Sequence, residues 1–496
     1  MEVYMFKKIL CALLASVMLI GSLVACGNTD EPDDGTSAQT KDNANQEGES
    51  REPLEIPDTR YDGTTLCFLT RDENSWSTVE IFADSKTANA DNISYAVFER
   101  NDRIQQQYGV TITEFKTDDP YGSVTNEVSA PTGDFMAIVA NVPNSASFAT
   151  SGYLWNLNSD YISYLDTSKP WWDTKMAEGM SIDNRLYFAT GDIMTLDNDA
   201  TFAIMFNKLL ASNCKLPNLY TLVDNGEWTM SKLYEFEQLS IQDKDGDGNL
   251  AFDSDVCGFA FTQDVPSCML IAGGITLAQK DEDDLPFYSV DVERAQNISE
   301  TCQLIFAKDY TVNLNETGLN DVEASGKKCF GENHALFFAE CLQCVTRVRG
   351  YDVDFGILPF PKYNKEQTSY YSLMHATASM VSIPRSVTGT NLTMVECMLE
   401  AMAYHAVDTI TMQYYEINLK TKGAKDAESG PMIDTILANR ACDLVYYYGW
   451  GGGAQGIMAS CLLPTTSTSV SSVATRYGKQ IETSIRGFLK KIDKFD

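Results

Sequence analysis

The sequence predicts an α/β fold built on a parallel sheet, and three observations carry that expectation. Strand and helix patterns alternate from Thr64 to Val142, and a second alternation opens near Thr201. The stretch from about Arg60 to Asp496 also suits two or more domains, or two lobes sharing a cleft. The first strand signal, Thr64 to Thr70, runs into the polar loop Arg71-Asp72-Glu73-Asn74-Ser75-Trp76. Ile93, Val97, Ile104 and Tyr108 then recur at helical spacing, and Gly109 is a natural stop. Val110 to Thr113 alternates as a strand, and Phe135 to Val142 reads as a buried one. In such sheets ligand loops lie beyond the carboxyl ends of strands, which directs attention to Arg71–Trp76 and Asn141–Ser145.

In the second unit Phe202 to Ala211 reads as strand and then helix, and Trp228 to Phe236 as a helix start capped by Thr229 or Ser231. Glu332 to Val348 reads as an apolar helical run leading to Phe355-Gly356-Ile357-Leu358-Pro359. The last hundred residues look largely helical, broken at Gly449-Trp450-Gly451-Gly452-Gly453, and there is no internal repeat.

Ahead of the folded part, Lys7 and Lys8 precede an apolar run from Ile9 to Leu23, too short and poorly flanked for a membrane span, so 1–26 reads as an export signal. Leu23-Val24-Ala25-Cys26 resembles the bacterial lipobox, which implies acylation at Cys26 and a chain tethered outside the cytoplasm. The polar segment 27–57 has almost no large apolar residue and reads as a disordered stalk.

With 69 acidic against 37 basic residues the formal charge is −32, which argues against nucleic acid or anionic lipid as the main partner. Eleven cysteines follow Cys26, an odd number without regular spacing, so they read as mostly reduced, buried thiols rather than a disulfide framework. Cys341 and Cys344 form a CxxC in an apolar segment with no second pair, a pattern that favours core packing over metal or redox work. Asp243-Lys244-Asp245-Gly246-Asp247-Gly248-Asn249 matches the start of an EF-hand loop, with Asp253 and Asp255 flanking Ser254 at the twelfth place; a structural calcium ion is expected here.

Several pieces together resemble the family 1 extracellular solute-binding proteins, the carbohydrate-capturing lipoproteins of ABC importers. They are Val97 to Phe115, Gly191 to Lys208, Gly226 to Leu233 and Phe355 to Tyr371 (FGILPFPKYNKEQTSYY). The resemblance implies a type II periplasmic-binding-protein-like fold, with hinged α/β lobes closing on a sugar. It suggests lobe 1 at 58–195 with 335–384 and lobe 2 at 196–334 with 385–496, crossing near Asp192–Ala200, Glu332–Glu340 and Met380–Ser386. A sugar needs aromatic platforms for its CH faces and directed polar groups for its hydroxyls. Trp76, Trp171, Trp172 and Trp450 are candidates for the first role; Arg71, Asp72, Asn141, Asp192, Asp197, Glu340 and His375 for the second.

No HExxH, GxSxG or phosphate-loop motif is present. Ser212 to Lys215 is a bare SxxK, and Gly451, Gly453 and Gly456 form a GxGxxG with too little chain after it for a dinucleotide domain. The sequence thus points to a monomeric, lipid-anchored binding protein on the outer face of a Gram-positive type cell membrane. It would take a carbohydrate, with an oligosaccharide expected, to a permease and would need no catalytic cofactor. The alternatives are a glycan- or peptide-binding surface lipoprotein without a transport role, and a carbohydrate-active hydrolase.

Overall fold

A computed structural model describes residues 51–72, 79–317, 322–348, 350–415 and 426–495. By compactness the chain divides into Met1–Pro53 and Leu54–Asp496, and the account below concerns the second unit. The export signal, Cys26 and Trp76 lie outside the described residues. Leu54 and Ile56 pack against the main core, so the folded unit begins before the stalk end expected at 57.

The first lobe is built from β1 (Thr65–Arg71), α1 (Asn92–Tyr108), β2 (Thr111–Thr117), α2 (Pro120–Ser129), β3 (Ala137–Asn141) and α3 (Val142–Ser151). Asp91 caps α1 by accepting from the Ser94 amide, and Gly109 ends it at φ 72°, in the left-handed region that glycine adopts without strain. The second lobe contains β4 (Phe202–Asn207), α4 (Met230–Glu237), β5 (Cys257–Phe261) and α5 (Val265–Ala272). The hairpin β6 (Ala278–Lys280) and β7 (Pro286–Tyr288) follows, then α6 (Val292–Ile305) and β8 (Thr311–Asn313). Next come β9 (Ala335–Cys341), α7 (Gln343–Val348) and β10 (Phe355–Leu358). The chain then adds β11 (Ser379–Ser382), α8 (Thr390–Ala406), α9 (Ser429–Ala438), α10 (Trp450–Ser460) and α11 (Val470–Ile492).

The two main sheets run β11-β3-β1-β2 and β10-β4-β9-β5-β8, and one rule builds both. A first strand, β1 or β5, is flanked by parallel partners, β2 and β3 in one sheet and β8 and β9 in the other. An antiparallel strand, β11 or β4, is then added by chain arriving from the other lobe. This is the hinged two-lobe α/β arrangement that the sequence predicts.

The strand pairing divides the chain differently from the expected boundaries. β9 pairs with β4 and β5, and β10 with β4, so residues 335–358 lie in the second sheet rather than the first lobe. Glu332–Glu340 is therefore no crossing, and the run expected to be helical is a strand followed by α7. The second sheet is buried on both faces: Phe202, Ile204 and Phe206 enter one core, Ala203 and Met205 the other. Such strands show a continuous apolar run whose period cannot separate strand from helix. Conversely α8 packs on α1 and so belongs with the first lobe, while α10 and α11 lie mainly on α5 and α6.

Three links connect the lobes. Ala189 pairs with Val381 and Thr201 with Met374, antiparallel, and Ser372 pairs with Arg440. The crossing at Asp192–Ala200 is thus observed, and the return lies a few residues before the expected Met380–Ser386. Beside these links the β6–β7 hairpin meets the first lobe. Lys280 Nζ donates to the carbonyls of Glu178 and Ser181 and pairs with Asp284 at 2.5 Å. Asp284 in turn accepts from the amides of Asp183 and Asn184, both at 2.9 Å. Asp183, Asn184 and Asp284 all carry positive φ, three of five such non-glycine residues among those described, so strain is concentrated at this contact.

None of the eleven described cysteines is in a disulfide, and eight are buried. Under the second sheet Glu237 is fully buried, and neither carboxyl oxygen has a hydrogen-bond partner. Burial, helped by nearby Cys257, pushes this carboxyl well above its ordinary range. The native state therefore holds a proton that the unfolded chain loses above its ordinary carboxylate value, so stability falls as pH rises from about 4.5. Glu237→Gln should raise the melting temperature by about 2–4 °C at pH ~8 and by less at pH ~5, measured by scanning calorimetry.

Candidate functional site

In this topology the carboxyl ends of the parallel strands in both lobes face the crossing segments, where open α/β sheets bind ligands. A cavity of about 340 Å³ occupies that position in the second lobe. Thr262, Gln263 and Asp264 reach it from the end of β5, Glu340 and Cys341 from the end of β9, and His375 from the returning crossing. Phe202, Asn315, Gln343 and Arg347 complete much of its wall.

His375 is held by backbone geometry. Its amide donates to the Ala200 carbonyl at 2.8 Å, and its ring meets Phe202 edge-on at 5.9 Å. Nδ1 accepts from the Thr377 amide at 3.1 Å, which assigns the ring proton to Nε2. Nε2 faces Asp264 Oδ2 at 3.9 Å, too far for a hydrogen bond. A hydroxyl oxygen between them would accept from Nε2–H and donate to the carboxylate. Burial lowers the His375 pKa, only partly offset by Asp264, so the neutral ring is favoured.

Arg71, at the end of β1, braces the same crossing from the first lobe. It pairs with Glu80 at 2.7 Å and donates to Ser379 Oγ at 2.7 Å and the Thr377 carbonyl at 3.3 Å. Arg71, His375 and Glu340 are thus brought to one region. Asp72 is exposed, and its amide donates to the Thr117 carbonyl. Asn141 caps α3 by accepting from the Asn144 amide at 3.0 Å.

The tryptophan candidates have other work. Trp171 and Trp172 are buried, and their indole N–H groups donate to the two oxygens of Glu400 at 2.8 and 2.9 Å. Together they anchor α8; burial lifts the Glu400 carboxyl to about 7. Trp450 is 6 % exposed, stacked on Tyr448 at 5.2 Å and tilted against Phe488 at 5.9 Å. Its neighbours Gly451, Gly452 and Gly453 all have positive φ, and a Cβ on Gly451 would stand 2.7 Å from Ile481. Gly451 thus serves close packing against α11, whereas Gly452 and Gly453 are exposed with open space beside them.

Asp192 and Asp197 line a separate cavity of about 520 Å³ at the lobe links, together with Trp171, Trp172 and Arg440. Asp192 accepts from Thr411 Oγ1 at 2.8 Å. Asp197 and Asp173 pair with buried Arg440 at 3.1 and 2.6 Å. Burial raises the Asp197 carboxyl to about 6 in spite of Arg440. These residues hold the hinge, and neither Asp192 nor Asp197 lines the cavity of about 340 Å³ that holds His375.

In the acidic loop the carboxylates of Asp243, Asp245 and Asp247 approach within 4.8 Å of one another, an exposed arrangement compatible with a cation. Asn249 follows directly, its amide donating to Asp247. The flanking acids are otherwise engaged: Asp253 pairs with Lys328 at 3.2 Å, and buried Asp255 accepts from the amides of Lys244 and Ala251.

Asp264, Arg347 and Asn315 were not legible as site residues. Asp264 follows β5, and recognising Cys257–Phe261 as a strand would have exposed it through the strand-end rule.

No protein-family model and no curated protein matches the sequence. Solved structures do resemble it. The GacH receptor of Streptomyces glaucescens, studied unliganded and with acarbose, superposes with a TM-score of 0.51 at 14 % identity, covering 86 % of this chain and 98 % of that one. An ABC substrate-binding protein of Listeria monocytogenes in complex with cycloalternan gives 0.50 at 9 %, covering 87 % and 100 %. UgpB of Mycobacterium tuberculosis in complex with glycerophosphocholine gives 0.50 at 15 %, covering 84 % and 100 %. The chain has the two-lobed fold of these solute-binding proteins. Among the described residues no helix is long and apolar enough to cross a membrane.

Because Arg440 neutralises two buried carboxylates, Arg440→Ala should cost about 3–5 kcal/mol, read as a lower urea midpoint, and Arg440→Lys should cost less.

Proposed function

We propose that this protein captures a carbohydrate, an oligosaccharide, and delivers it unchanged to an ABC import permease. The observation that carries this reading is the convergence of strand ends and crossing on one polar cavity lined by Asp264, Glu340 and His375, where Asp264 Oδ2 and His375 Nε2 stand 3.9 Å apart. That spacing suits hydroxyl groups, which donate and accept at once. The sugar ligands of the GacH receptor and of the Listeria protein support the same ligand class. Closure of the lobes about the links is the mechanism, and no bond is made or broken.

Isothermal titration against an oligosaccharide panel should find saturable binding, with the sugar recovered intact by chromatography. His375→Ala and Asp264→Asn should each weaken it about 10- to 100-fold while leaving the melting temperature nearly unchanged. Released shorter sugars would instead establish a hydrolase.

The Leu23–Cys26 motif supports acylation at Cys26 and a place on the outer face of the cell membrane, and we read the chain as a monomer. The Asp243–Asp247 loop supports a structural calcium ion. Millimolar calcium should then raise the melting temperature of the native protein by a few degrees, and Asp243→Asn with Asp245→Asn should abolish that shift.

A further inference from the structure

Charge is unevenly spread over this acidic chain. From Arg476 to Asp496 six basic residues stand against three acidic ones, the reverse of the whole-chain balance of 37 to 69. Arg476, Lys479, Arg486 and Lys490 follow one another at steps of three, seven and four along α11, with Thr483 in the wide gap. At about 100° per residue those steps keep them on one stripe. All four are exposed, and exposed Lys491 and Lys494 extend the basic end.

The opposite side carries Val473, Ile481, Ile485, Phe488 and Ile492, which are buried. Among these basic residues only Arg486 approaches a carboxylate, Glu482 at 4.0 Å, so most of the positive charge is not neutralised within the described structure.

We propose that this face of α11 is a docking surface for anionic phospholipid headgroups. Its form argues for a flat, extended partner: Arg476 to Lys490 spans about 21 Å along a helix, with the charges in a row rather than converging on a point. No large apolar side chain of this helix is exposed, so the helix rests on headgroups and does not insert. The net charge of −32 does not forbid the contact. Salt screens charges more than about 8 Å away at physiological ionic strength, so the local stripe governs the encounter. Each cation near an anionic leaflet adds to attraction, and lysine-rich stretches are suited to diffuse headgroup charge. Tethering through Cys26, as proposed above, would keep such a surface within reach.

The test uses the full chain on vesicles of phosphatidylcholine alone or containing about 30 % phosphatidylglycerol, with lysine acetylation read by mass spectrometry. Labelling of Lys490, Lys491 and Lys494 should fall at least about threefold on the anionic vesicles and recover in about 0.5 M NaCl. Exposed Lys308, which lies on another element, serves as the unaffected reference. In Lys479→Glu/Lys490→Glu/Lys491→Glu, shown folded by circular dichroism, labelling of Lys494 should be equal on both vesicles. Equal labelling of the native stripe on both vesicle types would overturn the proposal and leave the stripe to an acidic protein segment. The assay contains no sugar, so its outcome is independent of the cleft's ligand.

Discussion

The rest of the architecture depends on three pieces of backbone that must pass between lobes without leaving unpaired polar groups. Two of them, around Ala189–Thr201 and Met374–Val381, satisfy each other as antiparallel neighbours, and the third joins at Ser372 and Arg440. Gly191 lets the first of these links lie against the Trp171–Trp172 backbone, since a Cβ there would lie 2.6 Å from the Trp171 carbonyl oxygen. Arg440 then supplies the charge that two buried aspartates need. Once the links are fixed, the site follows: the carboxyl ends of both parallel sheets have only this region to face, and His375 is carried into it by the same backbone that forms the hinge.

Division of labour among the polar groups is clear in this frame. Acids and arginines that close pairs inside the protein, such as Asp197 with Arg440 and Glu80 with Arg71, set the position of the lobes and the crossing. Asp264 and His375 instead face each other at the cavity across 3.9 Å, wider than a hydrogen bond. Burial alone does not sort one group from the other; the partner does.

Elements with a clean period were legible in the sequence. α1 shows four apolar positions on one side with an aspartate cap and a terminal glycine, and β1 to β3 alternate with helices as parallel sheets require. β9 was not legible, because a strand covered on both faces loses its alternation. The tryptophans were misleading for a related reason. Residue type marks Trp171, Trp172 and Trp450 as sugar platforms, yet whether an indole faces a cleft or a carboxylate such as Glu400 is decided by elements more than two hundred residues away. Arg71 and His375 were singled out by position relative to a strand end and a crossing rather than by residue type, and the structure brings both to one region, with Glu340 reaching it from the end of a strand instead of the crossing expected there.

The eleven cysteines outside any disulfide give this protein a history as well as a structure. Eight become inaccessible only when the lobes consolidate, and Cys257, Cys268, Cys302, Cys329 and Cys341 all lie in the second one. A chain exported before folding would carry them naked into whatever redox environment lies outside, where each is a candidate for wrong pairing. Biogenesis is then a race between burial and oxidation, and the winner is set by how fast the second sheet assembles from strands far apart in sequence. Export along that route would suit a reducing or oxygen-poor habitat.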